Sequence, residues 1–538
     1  MRSRERLRAV LASLEHRIGT RRGALGLFCV ALVVYGLRSV AVPVIPGRDF
    51  GTYLRFYVQI AEWDSVLPMT MLFRTPLAPL VVGGTLDLVG GWGLQAVMAI
   101  LYASSIVAWS RVGLVFGSRT SLVAAAALVL YPGYGMLFHA PASEPVVATA
   151  FAAWALALAR AWLDPTPGRF ALLGVAVAAA ALTRPGYQVL ALSALVPLAL
   201  AVPWRTRLAS ATACLGVVVV LLGAWVVNNG LRYDDYALAR GGSAFFPFYR
   251  AFTTDRIVAP ENGDASRRLA EVVEVELLPE EPYRSYGITL ERFFGNGGPR
   301  EFEDVVGVTD RVWGWDTDYA QMRAVSVEAV RAHPWRYARG VAETIFDELW
   351  SPLHIALPAD EAPAPGDGGP PGAGGAAGLP LPSEGEQIPA ARQGFFTTTP
   401  DASVTEEWTS ATDHALVFAD PEAGRRWAEV EARSAQLFDL VPPHPGSTWL
   451  TLQYSRSSKL YPPPLLWLVV GLAAWAWRRP AYGALAAALV GSALLLVFFQ
   501  ALAVYSIIEF AIPVAPALIV FGAAGLVGNR PGRSDATR

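Results

Sequence analysis

Long apolar runs almost empty of charge constrain this chain more than any motif does. Runs at 24–45, 93–115, 119–138, 144–163, 187–203, 208–227, 461–477, 480–503 and 507–528 read as membrane-crossing helices. Each approaches the roughly 20 apolar residues that a bilayer demands. Charged residues make up 16% of the chain, against about a quarter in soluble proteins. They are thin from 24 to 227 and from 461 to 528, and ordinary in between. This pattern predicts a mainly α, polytopic membrane protein interrupted by one large polar domain. The net charge of −2 offers no global attraction for nucleic acid. Cys29 and Cys214 both lie in apolar runs, which argues against a disulfide framework. The basic start, "MRSRERLRAVLASLEHRIGTRR", precedes a run that continues past Arg38 to Ile45. It reads as an inserted first span rather than a cleaved leader.

Arginine placement decides which short runs cross, because loops on the inner face collect basic residues. Basic clusters occur at the N-terminus, at Arg111 to Arg119, Arg169, Arg205 with Arg207, Arg478 with Arg479, and from Arg530 onward. All fall on one side only if 169–182 crosses and "PLAPLVVGGTLDLVGG" (76–91) does not. The result is about ten transmembrane helices. The predicted layout is a cytoplasmic basic segment 1–23, a transmembrane module 24–227 with a first outside loop 46–92, and an extracytoplasmic domain 228–460. C-terminal transmembrane helices at 461–528 and a cytoplasmic tail, 529–538, complete it. Within 46–92 two interfacial helices are expected. On the first, Tyr53, Phe56, Tyr57 and Ile60 fall on one side, and Thr52, Arg55, Gln59 and Glu62 on the other, so its aromatics should rest on lipid headgroups. In the outside domain, 232–352 should fold and should end in two helices, the second opened by Pro334. The Pro/Gly-rich stretch 362–387 reads as a flexible segment.

The outside loops hold ionisable groups at the membrane boundary: Arg48 and Asp49 with Arg74, His139 with Glu144, and Arg184. Such groups are costly at that depth unless paired or facing a wet cavity, so they are functional candidates. Carboxylates supply a general base and a partner to orient it. Arginines supply bidentate donors for phosphate oxygens. Bland readings stand beside these. Asp49 could cap the helix that follows, Glu144 could sit at the start of its span for dipole reasons, and Arg74 and Arg184 could snorkel to headgroups. Arg38 is either a buried partner of Asp49 or interfacial. No Cys/His cluster has metal-ligand spacing.

The stretch "GRDFGTYLRFYVQIAEWDSVLPMTMLFRTPLAPLVVG" resembles the first outside loop of the GT-C membrane glycosyltransferases. The likeness is greatest to the protein O-mannosyltransferases and the lipid A aminoarabinose transferase. In that group an acidic residue follows the first span, a Tyr follows it, and a basic residue precedes a Pro opening a second interfacial helix. Asp49, Tyr53, and Arg74 with Pro76 occupy those places. "ASEPVVATAFAAWALALARAW" is similar to the family's second acidic site, at Glu144. "ALTRPGYQVLAL" is similar to its basic turn, at Arg184, and "VRAHPWRYARG" to a later helix. The chain departs twice. Phe50 follows Asp49 where a second acid is common, and Glu509-Phe510-Ala-Ile-Pro513 replaces an Arg-Tyr-x-x-Pro pattern. Lys459 or Arg456 then stands in for the missing phosphate contact.

The resemblance implies an enzyme that moves a sugar from a polyprenyl-phosphate donor to an extracytoplasmic acceptor, protein or cell-envelope glycan or lipid, with inversion. Asp49 is the expected base and Glu144 its assistant. Arg74, Arg184, Arg48, Arg38 and Lys459 are expected at the donor phosphate, and His139 and Tyr53 near donor or acceptor. No cofactor is implied, although a divalent ion between Asp49 and Glu144 stays open. The expected setting is a bacterial-type plasma membrane, with the site on the extracytoplasmic face. A glycan ligase or oligosaccharyltransferase-type enzyme is the alternative within enzymes. A transporter or lipid flippase is the alternative outside them, and should show a repeat between its halves, which the sequence lacks.

Overall fold

The computed structural model describes residues 13–41, 44–47, 49–62, 73–242, 244–280, 283–284, 286–296, 301–350, 396–397, 403–408, 414–442, 448–458, 460–503 and 510–529. Helices dominate them. The N-terminal part comprises α1 (Arg21–Ala41), α2 (Phe50–Ala61), α3 (Leu77–Phe116), α4 (Ser118–Leu130), α5 (Pro132–Leu137), α6 (Ser143–Leu163) and α7 (Pro167–Thr183). A 3-10 stretch, Pro185–Leu195, runs into Val196–Ala199 before α8 (Trp204–Tyr233). The intervening polar region holds α9 (Asp264–Val272), α10 (Glu301–Trp313), α11 (Trp315–Ala332) and α12 (Pro334–Trp350). A small antiparallel sheet follows, β1 (Phe396–Thr397), β2 (Val404–Trp408) and β3 (His414–Phe418), in that spatial order. The chain continues through α13 (Pro421–Asp439), α14 (Thr448–Ser458), α15 (Pro464–Arg478), α16 (Gly483–Ala501) and α17 (Ala515–Val527).

By length and composition, five of the described helices can cross a membrane: α1, α3, α6, α8 and α16. Shorter apolar helices stand with them: α4, α7, the 3-10 stretch with its continuation, α15 and α17. Local causes shorten some. Tyr131 adopts extended backbone before Pro132, dividing the run 119–138 into α4 and α5, as the steric demand of proline on its predecessor requires. Gly90, at φ 68 and ψ −175, breaks α3 between the stretch expected at the interface and the expected span 93–115. That backbone geometry is open essentially to glycine alone. α17 is enclosed on nearly all sides, with Ala515 to Gly525 buried. It lies against α15 and α4, and Trp475 stacks on Phe521 with ring centroids 5.4 Å apart.

The first helix expected at the interface differs from expectation. α2 is amphipathic as read, but Phe50, Tyr53, Leu54, Phe56, Tyr57, Val58 and Gln59 are all buried in protein. α3 takes one side, where Gly83 lets Tyr57 lie against the helix backbone; a Cβ there would come within 2.3 Å of the ring. α13, from the polar region, covers the other side through an Arg55–Glu431 ion pair at 2.8 Å and an edge contact between Phe50 and Phe438. Asp87 of α3 accepts from Tyr57 at 2.8 Å and pairs with Arg433 of α13. The aromatic face that sequence assigns to headgroups therefore meets protein; periodicity specifies an apolar partner, not its identity.

Residues between Ala244 and Ala329 form a second core, separate from that of the membrane helices. The two helices expected to close this part of the chain, α11 and α12, are present, with Pro334 opening the second. Glu328 on α11 caps α9 from across the fold, accepting from the Ala265 and Ser266 amides at 3.0 and 2.8 Å and from the Ser266 hydroxyl at 2.8 Å. The sheet was not foreseen in the sequence. The stretch 362–387 lies outside the described residues.

Candidate active site

Asp49 stands at the N-cap of α2 in a left-handed backbone, φ 60 and ψ 17, yet its side chain makes no capping bond. Its carboxylate instead faces Arg74, with Oδ2 3.1 Å from Nη2. The Arg74 guanidinium also lies 4.7 Å from the centre of the Tyr53 ring, one turn along α2. Burial opposes charge on Arg74, but Tyr53 and Asp49 outweigh it and hold its pKa above the ordinary value. The pair remains open to solvent, at 26% and 48% side-chain exposure for Arg74 and Asp49. The neighbouring Phe73 packs on the core of the polar domain, so that domain anchors the loop bearing Arg74.

The second acidic site forms a matching pair. Glu144, in the first turn of α6, lies 3.1 Å from Arg184 through Oε1 and Nη1, and Ser143 donates to its other oxygen at 3.2 Å. Arg184 closes the end of α7 in extended backbone and rests 4.1 Å over the ring of Phe510. Phe510 therefore contacts the site where an arginine-bearing motif was missing.

The loops of the two acids are joined. The Ile45 amide donates to the His139 carbonyl at 2.8 Å. Gly47 lies so close to the loop 140–142 that a Cβ would approach the Ala140 oxygen to 2.9 Å. Tyr53, Ala78 and Ala142 then form a small apolar cluster between them. Sequence reasoning named both pairs' members but did not pair Glu144 with Arg184.

Other predicted site residues fall elsewhere. Arg38 is buried away from Asp49, donating to the Tyr102 hydroxyl at 2.8 Å and to the Val129 carbonyl. Gly135 makes room for it, since a Cβ there would strike Nη1 at 1.9 Å. Its donors serve the helix bundle. His139 is fully buried and stacks on Tyr35 at 4.2 Å, so its ring packs between helices. Arg48 and Lys459 lie outside the described residues. Among the described residues no three His, Cys, Asp or Glu side chains gather as metal ligands would; Asp49 and Glu144 each face an arginine.

Residues 74–227 match the family model of the dolichyl-phosphate-mannose-protein mannosyltransferases. The membrane module resembles the GT-C glycosyltransferases. The match begins at Arg74 and takes in Glu144 and Arg184. Two crystal structures of ArnT from Cupriavidus metallidurans align with the chain. The one bound to undecaprenyl phosphate shows 15% identity and a TM-score of 0.36, and the apo form 14% and 0.34. Each alignment covers 94% of this chain and 78% of the other. No curated protein sequence matches.

Proposed function

We propose that this protein is a multi-pass membrane glycosyltransferase of the GT-C type that takes its sugar from a polyprenyl-phosphate donor. The observation carrying this reading is the joined pair of arginine–carboxylate contacts, Arg74–Asp49 and Arg184–Glu144. Each arginine is a ready donor to phosphate oxygens. When a lipid phosphate draws an arginine toward itself, the carboxylate it leaves gains proton affinity. Asp49, the more exposed of the two acids, then takes the proton of the acceptor hydroxyl. The acceptor oxygen bonds to the anomeric carbon as the bond from that carbon to the phosphate oxygen breaks, with inversion. Polyprenyl phosphate departs toward Arg74 and Arg184.

An apolar cleft of about 110 Å³ supports a lipid donor. Trp154 and Leu158 of α6, Val189 and Val196 of the 3-10 stretch and its continuation, and Leu495 of α16 line it. Trp154 lies ten residues along α6 from Glu144, about 15 Å at helical rise. An isoprenoid tail entering there would leave its phosphate beside Arg184. The ten-span arrangement, with this site on the extracytoplasmic face of a bacterial-type plasma membrane, belongs to the same reading. The acceptor is an extracytoplasmic protein, glycan or lipid. Membranes bearing the protein should transfer radiolabel from a polyprenyl-phosphate sugar to an envelope acceptor. Absence of transfer across a panel of such donors, together with absence of binding to polyprenyl phosphate, overturns the proposal.

A further inference from the structure

Tyr187 follows Arg184 by three residues, and its amide donates to the Arg184 carbonyl at 3.0 Å, closing the turn. The side chain is fully buried, edge-on to Phe151, and among the described residues its hydroxyl has no hydrogen-bond partner. Buried polar atoms are nearly always bonded, and phenylalanine would fill the same space without that cost. The hydroxyl lies within electrostatic range of Arg184, Glu144 and Glu348.

Glu348 reaches this place from the polar domain. α12 carries Tyr337, Gly340, Thr344 and Glu348 three or four residues apart, along one edge. The first three are fixed. Tyr337 donates to the Leu502 carbonyl at 2.8 Å, and Arg250 donates to Thr344 at 3.1 Å and to the Ala501 carbonyl at 2.6 Å. At Gly340 a Cβ would come within 2.3 Å of Asp255. Glu348, one turn further on, is 2% exposed, and Leu349 joins the membrane-helix core. The domain thus brings a buried carboxylate within electrostatic range of Tyr187, which closes the turn after Arg184.

We propose that Tyr187 and Glu348 recognise the sugar-phosphate head of the donor, Tyr187 donating to a phosphate oxygen beside Arg184 and Glu348 accepting from a sugar hydroxyl. This rests on the glycosyltransferase reading. It also yields a discrimination. The loaded donor is a phosphodiester with one negative charge and several hydroxyl donors. The spent carrier is a monoester that bears about −1.5 to −2 at pH 7 and has no sugar. Glu348 attracts the first and repels the second, which favours release of the spent carrier.

The test measures binding of polyprenyl-phosphate-mannose and of polyprenyl phosphate to the purified full-length protein in lipid nanodiscs. Wild type should prefer the mannosyl lipid. Glu348→Gln should bind polyprenyl phosphate about tenfold more tightly and narrow the preference by at least that factor. Tyr187→Phe should weaken both lipids alike by roughly three- to tenfold, with lipid-free thermal stability unchanged or raised. A preference unaltered by Glu348→Gln, or a wild type without preference, overturns the assignment of Glu348. A Tyr187→Phe protein that is less stable yet binds normally shows the hydroxyl to be architectural, and overturns its part. Failure of wild type to bind either lipid defeats the glycosyltransferase reading itself.

Discussion

The Arg250–Asp255 and Arg74–Asp49 pairs join the same two residue types and are built differently. Arg250 and Asp255 are almost wholly buried and meet through two contacts, at 3.0 and 3.2 Å. Arg250 also donates to Thr344 and to the carbonyl at the end of α16. Arg74 and Asp49 meet at 3.1 Å, half open, against the face of a tyrosine. A buried charge pair holds structure only when its bonding capacity is filled. A pair that leaves capacity to spare beside solvent is suited to exchanging partners. On the proposed function, the contrast separates an architectural arginine from one that handles the donor phosphate.

Neutralising the acid of the open pair should have the largest effect. Asp49→Asn keeps the shape but cannot accept the acceptor's proton, so transfer should fall by about 10²–10⁴ with donor binding retained. Near wild-type transfer at matched expression would place Asp49 with Asp255 and move the search for a base to Glu144. The converse substitution comes next. Arg250→Ala strands a buried carboxylate and should cost about 3–5 kcal/mol, read as a lower unfolding temperature in detergent and poor accumulation. A stable, abundant Arg250→Ala protein with weakened donor binding would erase the contrast. Arg74→Ala should accumulate normally and lose donor affinity by roughly tenfold or more, seen in lipid-binding titrations.

The smallest effect concerns a carboxylate that serves architecture alone. Burial pushes the Glu328 pKa up, but the Ala265 and Ser266 amides and the Ser266 hydroxyl outweigh it, and the net shift is downward. Its stabilisation is complete above the unfolded value of about 4.3 and is lost as pH falls through the lower folded value. Glu328→Gln should cost about 1 kcal/mol at neutral pH and flatten the acid limb of the unfolding curve. Transfer measured at neutral pH should hardly change.

Much of this was legible in the sequence because it depends on local pattern. Apolar runs locate helices, and Pro334 locates the start of α12. An acid, a tyrosine and an arginine in one loop already bring Asp49, Tyr53 and Arg74 together. What escaped depends on contacts between distant residues. Arg250 meets Thr344 and Ala501, 94 and 251 positions away, and no periodicity links them. The α13 cover on α2 was hidden for a different reason, since an amphipathic helix looks the same whether lipid or protein meets its apolar face. Arg38 misled because an arginine within an apolar run signals expense, and a tyrosine with a free carbonyl can meet that expense as well as a phosphate can.

The enclosure of α17 bears on how the molecule is made. Of the described helices it leaves the ribosome last, yet its neighbours α15 and α4 close around it. Gly471 and Gly525 admit Phe521 and Trp475 at distances no larger residue would tolerate. Until α17 arrives, the earlier helices must wait in the bilayer with their future contact surfaces covered only by lipid. A nascent chain arrested before Ala515 is therefore an open bundle, although its polar domain has already been synthesised.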